Sequence, residues 1–81
     1  MEFDTTMEIM GADWRVRILA EWDDSPYNDE GTWFLERLYI LGPKGAPPLP
    51  APLRCNVQAL TPEESQRVDE LIGRQAMMSH P

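Results

Sequence analysis

The sequence predicts an α+β fold: an antiparallel β-meander of three to four strands with one C-terminal helix packed on one face. Three observations carry this. Apolar and polar residues alternate with period two through the first 22 residues. An aromatic-rich stretch over residues 32–41 is closed by the turn-forming run Gly42-Pro43-Lys44-Gly45. A T-x-x-E capping box, Thr61 to Glu64, precedes apolar residues at helical spacing. At 81 residues the chain is one domain, because a chain this short buries only about 60–65% of the surface it exposes when unfolded.

The first strand is expected over 2–10, with Phe3, Thr5, Met7 and Ile9 sharing one parity. The second is expected over 15–22, where Trp14, Val16, Ile18, Ala20 and Trp22 share one parity and Arg15, Arg17, Leu19 and Glu21 the other. Between them Gly11-Ala12-Asp13 supplies a turn. A four-residue loop that sets Met10 opposite Arg15 pairs Ile9 with Val16, Met7 with Ile18 and Phe3 with Trp22. It brings all the apolar positions to one side. On the other side it places Glu8 against Arg17, a couple worth about 0.2–1 kcal/mol.

Residues 23–31 read as a loop, with turn chemistry at Ser25-Pro26 and Asn28-Asp29. Residues 32–41 read as a third strand on their aromatic content. A helix using Phe34, Leu38 and Leu41, stopped by Gly42, competes for the same stretch. As a strand it does not alternate. Phe34, Leu38 and Ile40 take one parity, and Trp33, Leu35, Tyr39 and Leu41 take the other, so both faces need cover.

Five prolines between residues 43 and 54 exclude helix and central strand and predict a stiff, extended arm. Residues 53–57 form a short fourth strand in this reading, with Leu53, Cys55 and Val57 inward and Cys55 acting as a small core hydrophobe. The helix is expected over 62–78, with Pro62 at its first position and Glu63 and Glu64 at the positive end of its dipole. Val68, Leu71, Ile72 and Met78 form its apolar stripe, and Gly73 weakens its middle.

Fourteen acids against seven bases give a net charge of −7, which excludes general electrostatic binding to nucleic acid or to an anionic membrane. Six of the acids, Glu21, Asp23, Asp24, Asp29, Glu30 and Glu36, lie in one base-free stretch. That stretch reads either as a solvated loop or as an acidic patch, Glu21, Asp23, Asp24, Asp29 and Glu30, that seats on a basic partner. The single cysteine, Cys55, has no internal partner, and neither a basic leader nor an apolar span of membrane length is present, so the chain is read as cytoplasmic.

Little here suggests chemistry. His80, the only histidine, sits one residue from the last, and Ser25, Ser65 and Ser79 have no nucleophile context. The loop acids lack the spacing of an EF-hand. No catalytic residue, metal or cofactor is expected. One helix covers one face of a sheet, and the other then carries Leu19 with one parity of the third strand. Trp33, Leu35, Arg37, Tyr39 and Leu19 form the candidate partner-binding or dimer face. Internal use of the same aromatics is the competing reading.

The layout resembles that of small accessory proteins of temperate bacteriophages. The short meander, the L-Y-I-L-G-P-K-G segment at Leu38 to Gly45, the proline-rich arm and the L-T-P-E-E helix start at Leu60 to Glu64 carry the resemblance. It implies an inhibitor of host defence, as anti-CRISPR proteins are, docking on a host protein or nucleoprotein complex with a basic surface and performing no catalysis. The alternative is a structural or housekeeping homodimer with the aromatic face between its subunits.

Overall fold

The computed structural model describes residues 1–23 and 32–79. Four strands, β1 (Glu2–Ile9), β2 (Ala12–Asp23), β3 (Thr32–Pro43) and β4 (Leu53–Cys55), pair antiparallel in the order β1-β2-β3-β4. A short 3-10 turn, Val57–Ala59, leads into the C-terminal helix α1 (Pro62–Ser79), which packs on one face of the meander. The asparagine before the 3-10 turn caps it, the Asn56 side chain accepting from the Gln58 amide at 3.0 Å. Residues 32–41 are strand throughout, not helix.

The first hairpin turns on two residues, Met10 and Gly11, rather than on the expected four-residue loop. Both have positive φ, 54° and 82°, the combination a tight turn needs to match the right-handed twist of its strands. Glycine takes it freely, and Met10 tolerates it with its side chain in solvent. The register therefore differs from expectation by four residues: Met7 faces Trp14, Thr5 faces Val16 and Phe3 faces Ile18. Because four is even, every side chain stays on its expected face. The expected Glu8 to Arg17 couple is not formed. Arg17 instead binds Asp4 through Nε at 2.8 Å and Nη2 at 3.2 Å, and Glu8 faces Asp13.

The core lies between sheet and helix. Met7 and Ile9 of β1, Val16, Ile18 and Ala20 of β2, Leu38 of β3 and Val68, Leu71 and Ile72 of α1 are buried together. The helix contributes only positions i, i+3 and i+4 of one turn, so the expected extension of its stripe to Met78 fails: that side chain is 80% exposed. Cys55 is half-buried against the core, but Leu53, expected inward, is 59% exposed because β4 ends the sheet and nothing described packs beyond it.

The helix starts where the capping box places it. Glu64 donates its amide to Thr61 Oγ1 at 3.1 Å and accepts the Thr61 amide through Oε1 at 2.9 Å. Its second oxygen, Oε2, accepts the Met10 amide at 2.9 Å, so one carboxylate ties the helix start to the first hairpin turn.

The proline-rich segment folds back on the sheet. Leu49 donates its amide to the Leu41 carbonyl at 2.8 Å and Arg15 donates Nη2 to the Ala46 carbonyl at 2.8 Å. Gly42 is buried beneath it, with φ of 155°, and a Cβ there would lie 3.1 Å from the Pro48 Cα. Only glycine permits this approach.

Candidate docking face

Two bulges in β3 decide which side chains share the face opposite the helix. Glu36 is an extra residue between the pairs Leu19 with Arg37 and Ala20 with Leu35, and Leu41 is extra between Val16 with Ile40 and Arg15 with Gly42. Each bulge switches the parity of the strand. Trp33 and Leu35 therefore join Leu38 and Ile40 on the helix side, packed against the core. Phe34, Arg37 and Tyr39 face the other way, beside Leu19 of β2.

The expected set Trp33, Leu35, Arg37, Tyr39 and Leu19 is thus divided between two faces. Trp33 stacks edge to face on Trp22 at 5.2 Å between ring centroids, a pairing worth about 0.5–1.5 kcal/mol beyond its buried area. Leu19, Arg37 and Tyr39 do lie together on the open side, and the structure adds Phe34, 46% exposed, with Leu41 at the second bulge. The signal was the adjacent polar pair Glu36-Arg37 inside an otherwise apolar run. Two consecutive polar residues where alternation demands one mark a bulge, after which the parity changes.

The open face is also where the bases collect. Register places Arg15, Arg17, Arg37 and Arg54 on it, four of the seven basic residues of an acidic chain. Its central cross-strand row runs Asp4, Arg17, Tyr39, Arg54. The bidentate bond to Arg17 holds the Asp4 carboxyl below the ordinary carboxylate range. Arg37 lies beside Tyr39 on this face, and the tyrosine favours the charged guanidinium. Arg15 is different, half-buried and committed to the folded-back arm. The arm therefore covers the Arg15 and Gly42 end and leaves Leu19, Phe34 and Tyr39 without cover among the described residues.

At the other end of the face Glu21 and Glu36 meet. The neighbouring Glu21 side chain pushes the Glu36 carboxyl above its ordinary value. Of the expected acidic loop, Glu21 and Asp23 are exposed at the end of β2, while Asp24, Asp29 and Glu30 lie outside the described residues, as does His80.

Beside the face, Arg37, Arg54, Cys55, Asn56 and Val57 border a depression of about 470 Å³. Burial raises the Cys55 thiol above its ordinary pKa, the reverse of what an activated nucleophile needs. Among the described residues no three His, Cys, Asp or Glu side chains converge where a metal ion could sit, and no described helix is long and apolar enough to cross a membrane. No known family, curated protein or solved structure matches the chain.

Proposed function

We propose that this protein is a docking module that binds another protein through the open face of its sheet and performs no chemistry of its own. One observation carries the reading: Leu19, Phe34 and Tyr39 stand with Arg17, Arg37 and Arg54 on a face that no described element covers. Aromatic side chains and arginine dominate the binding energy of protein interfaces, where broad apolar area alone does not. The Glu21 and Glu36 pair supports a basic group on the partner. A carboxylate whose charge is opposed by a neighbouring carboxylate gains from an arriving lysine or arginine, which relieves the repulsion. In this reading the phage resemblance supplies the setting, a bacterial cytoplasm and a host defence complex as target, and the unpaired Cys55 fits a reducing compartment.

The test pairs capture with a face variant. Phe34→Ala/Tyr39→Ala should leave the circular dichroism spectrum unchanged, abolish capture of the partner from a bacterial lysate, and weaken binding of the purified partner by about a hundredfold, as loss of two anchors at ~1–2 kcal/mol each implies. Equal capture by both proteins sinks the proposal. Light scattering decides the homodimer alternative: a dimer that the double variant splits assigns the face to a second copy.

A further inference from the structure

The two edges of the sheet are finished unequally. The β4 edge is three residues long and follows Pro50 and Pro52, the usual means of blunting an edge. The β1 edge is eight residues long and contains no proline. Met1 and Ala20 exchange both backbone hydrogen bonds, each 2.8 Å. In an antiparallel ladder such pairs recur at every second residue, so Phe3, Thr5, Met7 and Ile9 also bond to β2. The amides and carbonyls of Glu2, Asp4, Thr6 and Glu8 then point outward, and no described backbone group bonds to them.

Those four residues also carry their side chains on the open face, and three of them are acids. Any strand added to this edge sets a side chain directly opposite each of them, about 5 Å away. The occupant follows from the charge. A second copy of β1 is disfavoured, since antiparallel pairing about Thr5 sets Glu2 against Glu8 twice over. Glu8 already faces Asp13 across the hairpin, and the edge ends at a depression of about 480 Å³ bordered by Glu8, Glu63 and Glu64 with only Arg67 in opposition. On the helix side the added strand lies beside Phe3 and Met7, where apolar residues fit. We infer that the β1 edge receives an extended segment of a partner protein in which lysine or arginine alternates with apolar residues, adding a fifth strand to the sheet. Backbone hydrogen bonds supply the affinity and the acid row selects the basic sequence. The inference concerns the edge and not the open face, so it stands or falls separately from the proposed docking face.

Amide hydrogen exchange on the intact chain tests it, with a capped ten-residue peptide of alternating lysine and valine as probe. The peptide should slow exchange at Glu2, Asp4, Thr6 and Glu8 by tenfold or more and leave the already bonded Phe3, Thr5 and Met7 little changed. N-methylation of alternate peptide amides should abolish the effect, and a glutamate-valine peptide should bind about tenfold more weakly or worse. Glu2→Lys/Glu8→Lys should reverse that preference. Glu2→Gln/Glu8→Gln, a milder change, should remove it. Binding without protection of the four amides overturns the inference, as does equal binding of both peptides. Concentration-dependent protection of the same amides without peptide also overturns it, and assigns the edge to a second copy.

Discussion

The two faces of the sheet are built from the same three long strands and finished in opposite ways. On the helix side Val16, Ile18, Leu38 and Val68 have essentially no exposed surface, and no buried polar or charged residue accompanies them among the described residues. On the open side apolar residues are interleaved with arginines and carboxylates, Asp4 with Arg17 and Glu21 with Glu36. The first arrangement makes the fold stable. The second contributes little to stability, because exposed ion pairs are worth only about 0–1 kcal/mol, and its composition is therefore free to serve binding.

Truncation on each face should show the contrast most strongly. Leu38→Ala removes a fully buried side chain at the centre of the core and should cost about 2–5 kcal/mol. A chain of 81 residues at ~0.05–0.15 kcal/mol per residue has about 4–12 kcal/mol in all, so this variant should be half-unfolded at a much lower urea concentration. Phe34→Ala, from a ring only partly buried, should cost about 1 kcal/mol or less. Equal costs by urea titration would show that something covers the open face as thoroughly as the helix covers the other.

How far the sequence foretold this contrast depends on local signals. Alternation in β1 and β2 showed which residues face the core, and an even register shift left that result intact although every pairing changed. The turn is not legible in the sequence, because Met10 at positive φ is unusual and the neighbouring Ala12 and Asp13 look more turn-like than they are. In β3 the apolar residues were legible, but the assignment of Trp33 and Leu35 to the open face assumed one parity for the whole strand. Bulges are set by pairing with β2, a long-range effect, and only the Glu36-Arg37 pair betrays one locally. The concentration of arginines on one face was not legible, since it requires β4 to place Arg54 beside Tyr39. Neither was the bond from Glu64 to Met10, which spans 54 residues.

The capping box offers a smaller lever on the covered face. Thr61→Ala removes the hydroxyl that accepts the Glu64 amide and should cost about 1 kcal/mol. The effect should reach the sheet, because Glu64 also holds the Met10 amide. Faster hydrogen exchange at Met10 as well as at the first turn of α1 is the expected signature. A change confined to the helix would mean that the hairpin contact is independent of the cap.

The smallest expected effect is one of pH, and its sign is the same for Glu64 and Asp4 and the reverse for Glu36. The backbone amides of Thr61 and Met10 lower the Glu64 pKa below the ordinary 4.5, and Arg17 lowers that of Asp4 below 3.8. A carboxyl depressed in the folded state stabilises fully above its unfolded pKa and loses that contribution as pH falls through the folded value. Glu36, raised by Glu21, acts the other way: it favours the folded state below its unfolded pKa, and that contribution is lost as pH rises through the folded value. Glu64→Gln should therefore flatten the loss of thermal stability below about pH 4.5. Glu36→Gln should raise the melting temperature slightly at pH 7 and leave it nearly unchanged in acid, where Glu36 of the native chain is protonated. Asp4 and Glu36 are exposed and Glu64 is only half-buried, so the shifts should be small and should shrink in salt. A Glu36→Gln protein that melts lower at pH 7 would mean that the contact with Glu21 supports the sheet, and the open face would then be partly structural after all.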